Sequence, residues 1–441
     1  MRFLVFDKEG AETAIAWRLQ EYEHHDVRFL AQKEGKEHLL NMVQHVDTLE
    51  EGLRWVKDGV IICGDEQDCS DIRGKGFRVY GGNKFTERLE NDRIFELEVA
   101  KRAGLQVPNF HHIETIDEGI AFIKKHPDQY VLKQMGNAPK QWNYVGRHED
   151  GSDVIDQLEW IKTRPEFEGK TKLPFILQEI VDGIEFAVGA WWIGDDWKKD
   201  DKGNVLLYLN KEHKKSGNDD IGLTCGEAGT VGKFTTTEDL LFRLTLDKLT
   251  PILKKECPDV SLCIDAACGI VEEDGKPYLF EFTPRQPYPG NALQQHLLDM
   301  PSGDFFEQLA DGVQGNIDIK ETWGVVTVLG AGRYPFESKE EKGSFHNQPV
   351  EFPTDEWDEH IAPGYIKYDP ERDFFRIADI YEDVCQVAYD DECIEVANLK
   401  CVETMKKVKV RAANYRTDIG KEFRLKEVEK LEELGYLEKH S

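Results

Sequence analysis

The chain lacks most of the features that mark the commoner functional classes. Its nine cysteines are an odd number, and none falls in a C-x-x-C pair. Cys63, Cys263 and Cys268 lie inside apolar runs, which reads as reduced, packed thiols and excludes a disulfide framework or a zinc site built on paired thiols. No apolar run approaches the ~18 residues of a membrane span, and the N-terminus has no signal-peptide pattern, so a cytoplasmic protein without a membrane partner is expected. Positive charge is scarce: 56 Lys and Arg stand against 85 Asp and Glu, for a formal net charge of −29. Such a chain repels a phosphate backbone, which excludes nucleic acid as a non-specific partner. It can hold a small anion only through a local cluster of cations and backbone amides. Also missing are a GxxxxGK[ST] phosphate loop, a GxGxxG after the first strand, HExxH and GxSxG. Nucleotide chemistry, if present, needs another scaffold.

Core material is ample. The chain has 441 residues, 40 % of them hydrophobic, with 23 Phe, 14 Tyr and 9 Trp. At roughly 100–200 residues per domain this suggests two to four domains. Phe3-Leu4-Val5-Phe6, Val27-Arg28-Phe29-Leu30, Gly59 to Gly64 and Phe77 to Gly82 read as strands alternating with helix-length segments, hence βαβ units and an open sheet closing near residue 110. One helix is expected from about Phe85 to Ala103, stopped by Gly104 and Pro108. From 110 to 190 the pattern is α+β; Tyr130–Lys133 and Phe175–Ile180 read as strands around a helix near Ser152 to Ile161. Strands dominate from 185 to 330, with a helix near Thr237 to Lys255, and Trp323–Leu329 opens a C-terminal unit.

The most informative segment runs from Ile270 to Arg285. Asp274-Gly275 between two apolar runs is a hairpin signal, and on the returning strand Leu279, Glu281 and Thr283 share one face. A carboxylate in such a strand needs a metal ion or a cationic partner to offset its desolvation. Glu281 is therefore either metal-facing or a sheet-edge acid paired with a Lys. Lys133 leaves its strand into a loop, where it can meet a nucleotide phosphate or solvent. Glu185 follows the Asp182-Gly183 turn, either to accept from ribose hydroxyls or as a plain loop acid. The densest basic cluster, Asn210 to Asp220, continues through Gly222, Gly226 and Gly229, whose amides can approach an anion.

In this order the segments resemble the ATP-grasp carboxylate–amine ligases, and among them the phosphoribosylamine–glycine ligase (glycinamide ribonucleotide synthetase) family, over nearly the whole chain. The resemblance is carried by His213 to Gly229, Glu281-Phe282-x-x-Arg285, Gly332-Arg333-Tyr334-Pro335 and Tyr415 to Gly420. It implies a multi-domain α/β protein: an N-terminal open sheet (1–110), an ATP-grasp domain of two lobes (111–322, the small lobe about 111–190) and a C-terminal domain (323–441). It implies ATP and Mg²⁺ as cofactors, a small carboxylate (glycine) and an amine as partners, and a monomer or homodimer. By position, Lys133 would contact ATP phosphates, Gln178, Glu179 and Val181 the adenine, and Glu185 the ribose. Glu281 with Thr283 would hold the metal. Arg285, His213 and Lys214 would serve the acyl phosphate, and Asp219 and Asp220 would face the substrates.

The chain also departs from the family pattern. Thr283 stands where an Asn is usual, and Asp265 reads as structural. The ATP-covering loop, normally glycine-rich, reads Gln134 to Trp142 without Gly-Lys-Gly. The loop after the first strand, normally Gly-Ser-Gly-Gly-Arg-Glu-His for a phosphosugar, reads Asp7 to Thr13, and its Glu9 and Glu12 would repel a phosphate. A changed amine acceptor, or a nucleotide-binding relative that has lost turnover, are the alternatives.

Overall fold

The computed structural model describes residues 1–438 apart from residues 9, 32–34, 136–141, 169–171, 333–342, 354–356, 358 and 379–382. Glu9, most of the Gln134 to Trp142 loop and Arg333-Tyr334-Pro335 thus lie outside the described residues. The chain divides into two compact units: residues 1–87, 186–266 and 283–441 form the first, and residues 88–185 and 267–282 the second.

The first unit opens with five parallel strands, β1 (Arg2–Asp7), β2 (Asp26–Ala31), β3 (Gln44–His45), β4 (Val60–Cys63) and β5 (Arg78–Tyr80), in the order β3-β2-β1-β4-β5. Continuous apolar runs suit this sheet because both faces are covered: Phe3, Val5, Val60 and Ile62 enter one core, Leu4, Phe6, Ile61 and Cys63 another. The order reverses between β1 and β4, and loops beyond the carboxyl ends of those strands frame a crevice, the usual ligand position in such sheets.

The second unit contains a four-stranded antiparallel sheet of β6 (Phe110–Ile113), β7 (Tyr130–Gln134), β8 (Tyr144–Val145) and β9 (Phe175–Glu179), in the order β6-β9-β7-β8. The helices Ile116–Lys125 and Ser152–Lys162 cover it over a core of Ile120, Ile123, Leu132, Leu158 and Phe175. Thr115 and Glu118 form a reciprocal capping box at the first helix, a start signal present in the sequence. The helix expected over Phe85–Ala103 is two, Lys84–Asn91 and Arg93–Arg102. Asp92 breaks it: its backbone is non-helical and its carboxylate accepts from the Phe95 amide as an N-cap.

The large sheet of the first unit is built on β10 (Ile184–Ile193), β11 (Leu207–Lys215), β12 (Thr224–Thr235) and β13 (Ser261–Ile270). After the Asp274-Gly275 turn the chain returns as β14 (Pro277–Thr283), and β15 (Trp323–Ala331) joins the far side of β12. From β13 the order is β13-β10-β11-β12-β15, followed by Asp383–Asp391 and Ile361–Pro363. Gly275 has φ +64°, a conformation glycine takes without steric cost. The helix Gly290–Leu297, buried along its length, contributes Leu293 and Leu297 to the same core as β1 and β4.

Lys198 is fully buried in the first unit, its Nζ donating to Gln308 Oε1 at 2.7 Å and to the carbonyls of Val313 and Gly315 at 2.7 and 2.8 Å. Lys198→Met leaves those acceptors without a donor and is expected to cost about 3 kcal/mol in chemical denaturation. A loss under about 1 kcal/mol would show that the ammonium is not what holds the 308–315 segment.

Candidate active site

In the second unit Glu281 and, through the Phe280 carbonyl, Lys133 gather around one arginine. Arg93 donates to Glu96 Oε2 at 2.8 Å, to the Phe280 carbonyl at 2.9 Å and to Glu281 Oε2 at 3.3 Å. Glu96 also accepts from the Phe282 amide. Burial pushes the Glu96 carboxyl up to about 7, with Arg93 opposing. Glu281 is thus held by a cation, Arg93. Lys133 Nζ lies 3.5 Å from the Phe280 carbonyl and 5.8 Å from the centre of its ring. Gln178 is buried on β9 opposite Val131, and Glu179 accepts from Asn109 Nδ2 at 2.8 Å. Val181 and Glu185 are half-buried, the latter at the start of β10.

The expected metal ligands are one carboxylate, Glu281, and one hydroxyl, Thr283, on the same face of β14. Among the described residues no group of three or more His, Cys, Asp or Glu is arranged to hold a metal. This donor set fits Mg²⁺ carried by a nucleotide, which takes one or two protein carboxylates and completes its octahedron with phosphate oxygens and water.

In the first unit two groups of polar side chains form. His213, on β11, is buried, and its Nε2 accepts from the Gly420 amide at 3.2 Å. Burial, with Arg416 adding to it, lowers its pKa to about 4, so the ring is neutral at pH 7 with its proton on Nδ1. Arg416, only 2 % exposed, grips Asp418 with two nitrogens at 2.9 Å and also donates to Asp220 and to the Lys215 carbonyl. The Asp219 amide donates to Asp418 at 2.7 Å, and Asn218 and Thr417 exchange two hydrogen bonds. These bonds tie the loop carrying Asp219 and Asp220 to the Tyr415–Gly420 segment, and they occupy Asp220 with a buried cation.

The second group surrounds Arg285. Arg285 and Lys214 are its cations; Glu12, Glu212, Glu227 and Asp265 are the acids whose fields reach them or one another. Burial drives Glu227 well above the usual carboxylate range, Glu212 adds to this, and Lys214 and Arg285 oppose it. Lys214 Nζ lies 3.4 Å from Glu212, and Asp265 accepts from Asn210 Nδ2 at 2.7 Å. Glu12 is 3 % exposed and accepts from Asn291 Nδ2 at 2.8 Å. Burial, then Asp7, pushes its carboxyl up to about 8. Sequence reasoning singled out Arg285, Lys214 and Glu12 but missed Glu227, Asp65 and Asn291. Glu227 lay within the His213 to Gly229 segment that carries the resemblance, but Asn291 had no signal because its partner is 279 positions away.

No protein-family model matches the chain. Over 95 % of its length it is 21 % identical to phosphoribosylamine–glycine ligase of Fusobacterium nucleatum, covering 98 % of that protein. With the Thermotoga maritima phosphoribosylamine–glycine ligase it shares 23 % identity over 80 % of this chain and 84 % of the relative. The crystal structure of the Thermotoga maritima enzyme superposes with a TM-score of 0.73 at 20 % identity, over 95 % of this chain and all of that one. The biotin carboxylase domain of Hydrogenobacter thermophilus 2-oxoglutarate carboxylase, solved with MgADP, gives a TM-score of 0.59 at 12 % identity over 93 % of this chain and 91 % of that one. The fold is therefore that of the ATP-grasp enzymes. Within that class the chain resembles phosphoribosylamine–glycine ligase from end to end.

Glu12 makes a stability prediction. Its folded pKa of about 8 lies above the ordinary 4.5, so between these values the folded chain keeps a proton that the unfolded chain has lost. Stability therefore falls as pH rises through that window, by up to about 1.4 kcal/mol per pH unit, and levels off above it. Glu12→Gln is expected to flatten this part of the profile in denaturant titrations from pH 5 to 8; an unchanged slope would mean that Glu12 is ionised in the fold.

Proposed function

We propose that the chain is an ATP- and Mg²⁺-dependent carboxylate–amine ligase of the phosphoribosylamine–glycine ligase type, with glycine as the carboxylate, in purine biosynthesis or a pathway derived from it. The end-to-end likeness to the Thermotoga maritima ligase, at a TM-score of 0.73, carries this reading. It includes a cytoplasmic location, small-molecule partners only, and the three-domain division 1–110, 111–322 and 323–441.

A carboxylate oxygen attacks the γ-phosphorus of ATP and ADP leaves; the amine nitrogen then attacks the acyl carbon and inorganic phosphate leaves. Starting from a carboxylate and an ammonium, the sum is an amide, ADP, phosphate and one released proton. Lys133 neutralises charge on the ATP phosphates, Gln178, Glu179 and Val181 receive the adenine, and Glu185 accepts from the ribose hydroxyls. Glu281 and Thr283 hold the Mg²⁺, which when bound neutralises phosphate charge. Arg285 stabilises the acyl phosphate, with Lys214 beside it and neutral His213 donating through Nδ1. Asp219 and Asp220 lie at the substrate end, Asp220 through its ion pair with Arg416.

One observation favours an altered amine acceptor within this type: the first-strand loop is closed to a phosphate by its own Asp7, as argued below.

Glycine, ATP, Mg²⁺ and hydroxylamine are expected to yield glycine hydroxamate, detected by mass spectrometry; ADP release without hydroxamate from any small acid would rule out the acyl phosphate. Glu281→Gln should cut Mg²⁺-dependent turnover at least a hundredfold while circular dichroism is unchanged. Near-normal turnover would remove Glu281 from the metal site. Lys133→Ala should weaken ATP binding much more than Lys8→Ala, whose ammonium faces Glu87 at 3.7 Å; equal effects in a nucleotide titration would move the phosphates away from Lys133.

A further inference from the structure

The crevice beyond β1 and β4 is lined by acids. Asp7, at the end of β1 and 1 % exposed, turns its carboxylate onto its own loop, accepting from the amides of Gly10 at 2.9 Å, Ala11 at 2.6 Å and Glu12 at 3.0 Å. Three converging amides are what an anion needs, and here the chain's own carboxylate takes them. A phosphate brought to this loop would have to displace Asp7 and then lie beside Glu12, with Asp65 nearby. Asp65 is engaged by the amides of Lys8 at 2.9 Å and Gln67 at 3.1 Å.

The crevice also has acceptors to spare. Asn291 is 1 % exposed; its Nδ2 is spent on Glu12, and among the described residues its Oδ1 has no partner. Gln286, 3 % exposed and anchored by its amide to the Gly64 carbonyl, likewise leaves Oε1 unpartnered. Gly64 abuts the Glu12 carboxylate so closely that a Cβ there would collide with it. A buried unpartnered acceptor is costly, and a ligand rich in N–H donors removes that cost whereas a phosphate-ester dianion, which has no donor, does not. The charged groups that act on Glu12 are Asp7 and Asp65, which favour its protonated form, and Arg285, which opposes them.

We propose that the crevice between the carboxyl ends of β1 and β4 binds the acceptor substrate as an unphosphorylated primary alkylammonium, held by Glu12 and Asn291 Oδ1. The inference rests on the ligase reading, because that reaction requires an amine, and it deepens it by naming the acceptor's class. Glu12 keeps its proton in the unliganded fold at pH 7, so pairing with an ammonium expels that proton.

The test uses ethanolamine, its phosphate ester O-phosphoethanolamine, and inorganic phosphate, each titrated calorimetrically into the full chain at pH 7 in two buffers of different ionisation enthalpy. Ethanolamine is expected to bind at least tenfold more tightly than O-phosphoethanolamine and to release close to one proton. Glu12→Gln should weaken ethanolamine at least tenfold and abolish the proton release, and Asn291→Leu should weaken it while retaining the release. Equal or tighter binding of the phosphate ester or of phosphate overturns the inference. So does absent ethanolamine binding, or unaltered binding by a folded Glu12→Gln chain. The hydroxamate assay stands apart: glycine hydroxamate with a crevice that prefers phosphate leaves the ligase reading intact and removes only this assignment.

Discussion

The first unit depends on how it neutralises buried carboxylates. A net charge of −29 can be carried on the surface with little cost, but Asp7, Glu12, Glu227 and Asp265 are all at least nine-tenths buried. Each is handled differently. Asp7 spends its charge on three backbone amides, Asp265 accepts from Asn210, Glu12 holds its proton at neutral pH, and burial drives the Glu227 carboxyl well above the usual range. Burial is the main cause of the raised Glu12 and Glu227 pKa values; Arg285 opposes it at both acids and Lys214 at Glu227. Such groups are poised to respond to an incoming charge, as binding sites commonly are.

In the second unit Arg93 does the corresponding work, with Lys133 adding to it at Glu96. Arg93 bridges Glu96 and Glu281 and anchors the Phe280 carbonyl, so it fixes the strand that carries Glu281. Glu96 takes the shorter bond, at 2.8 against 3.3 Å, so Glu281 is the less tightly held of the two carboxylates. Its side chain is 34 % exposed, whereas that of Glu96 is 2 % exposed. A buried acid supporting the arginine that supports the functional acid is a common way to hold a ligand ready without locking it.

Much of this was legible in the sequence, for local reasons. Apolar runs marked β1 and β4 because a parallel sheet is buried on both faces, and Asp274-Gly275 marked the turn before β14 because a left-handed residue is needed there. The Phe85–Ala103 segment misled because its apolar pattern continues through Asp92. An Asp can cap a new helix as readily as sit within one, and only the tertiary path of the chain selects the cap. Nothing local announces that Asp220 pairs with Arg416, 196 positions later.

By itself, then, the sequence determined the open sheet, the β14 hairpin with Glu281 and Thr283 on one face, and the resemblance to ATP-grasp ligases. Periodicity, turn chemistry and motif order are short-range properties, and they survive at 21 % identity. Only the tertiary structure decided the character of the β1 loop. Read along the chain, Asp7 carries no signal and Glu12 is an acid that would simply repel a phosphate. Folded, one becomes the anion that fills the loop and the other a buried proton carrier beside Asn291. The difference is desolvation: whether a carboxylate is solvated, hydrogen-bonded or protonated depends on what packs around it, and those neighbours come from distant parts of the chain.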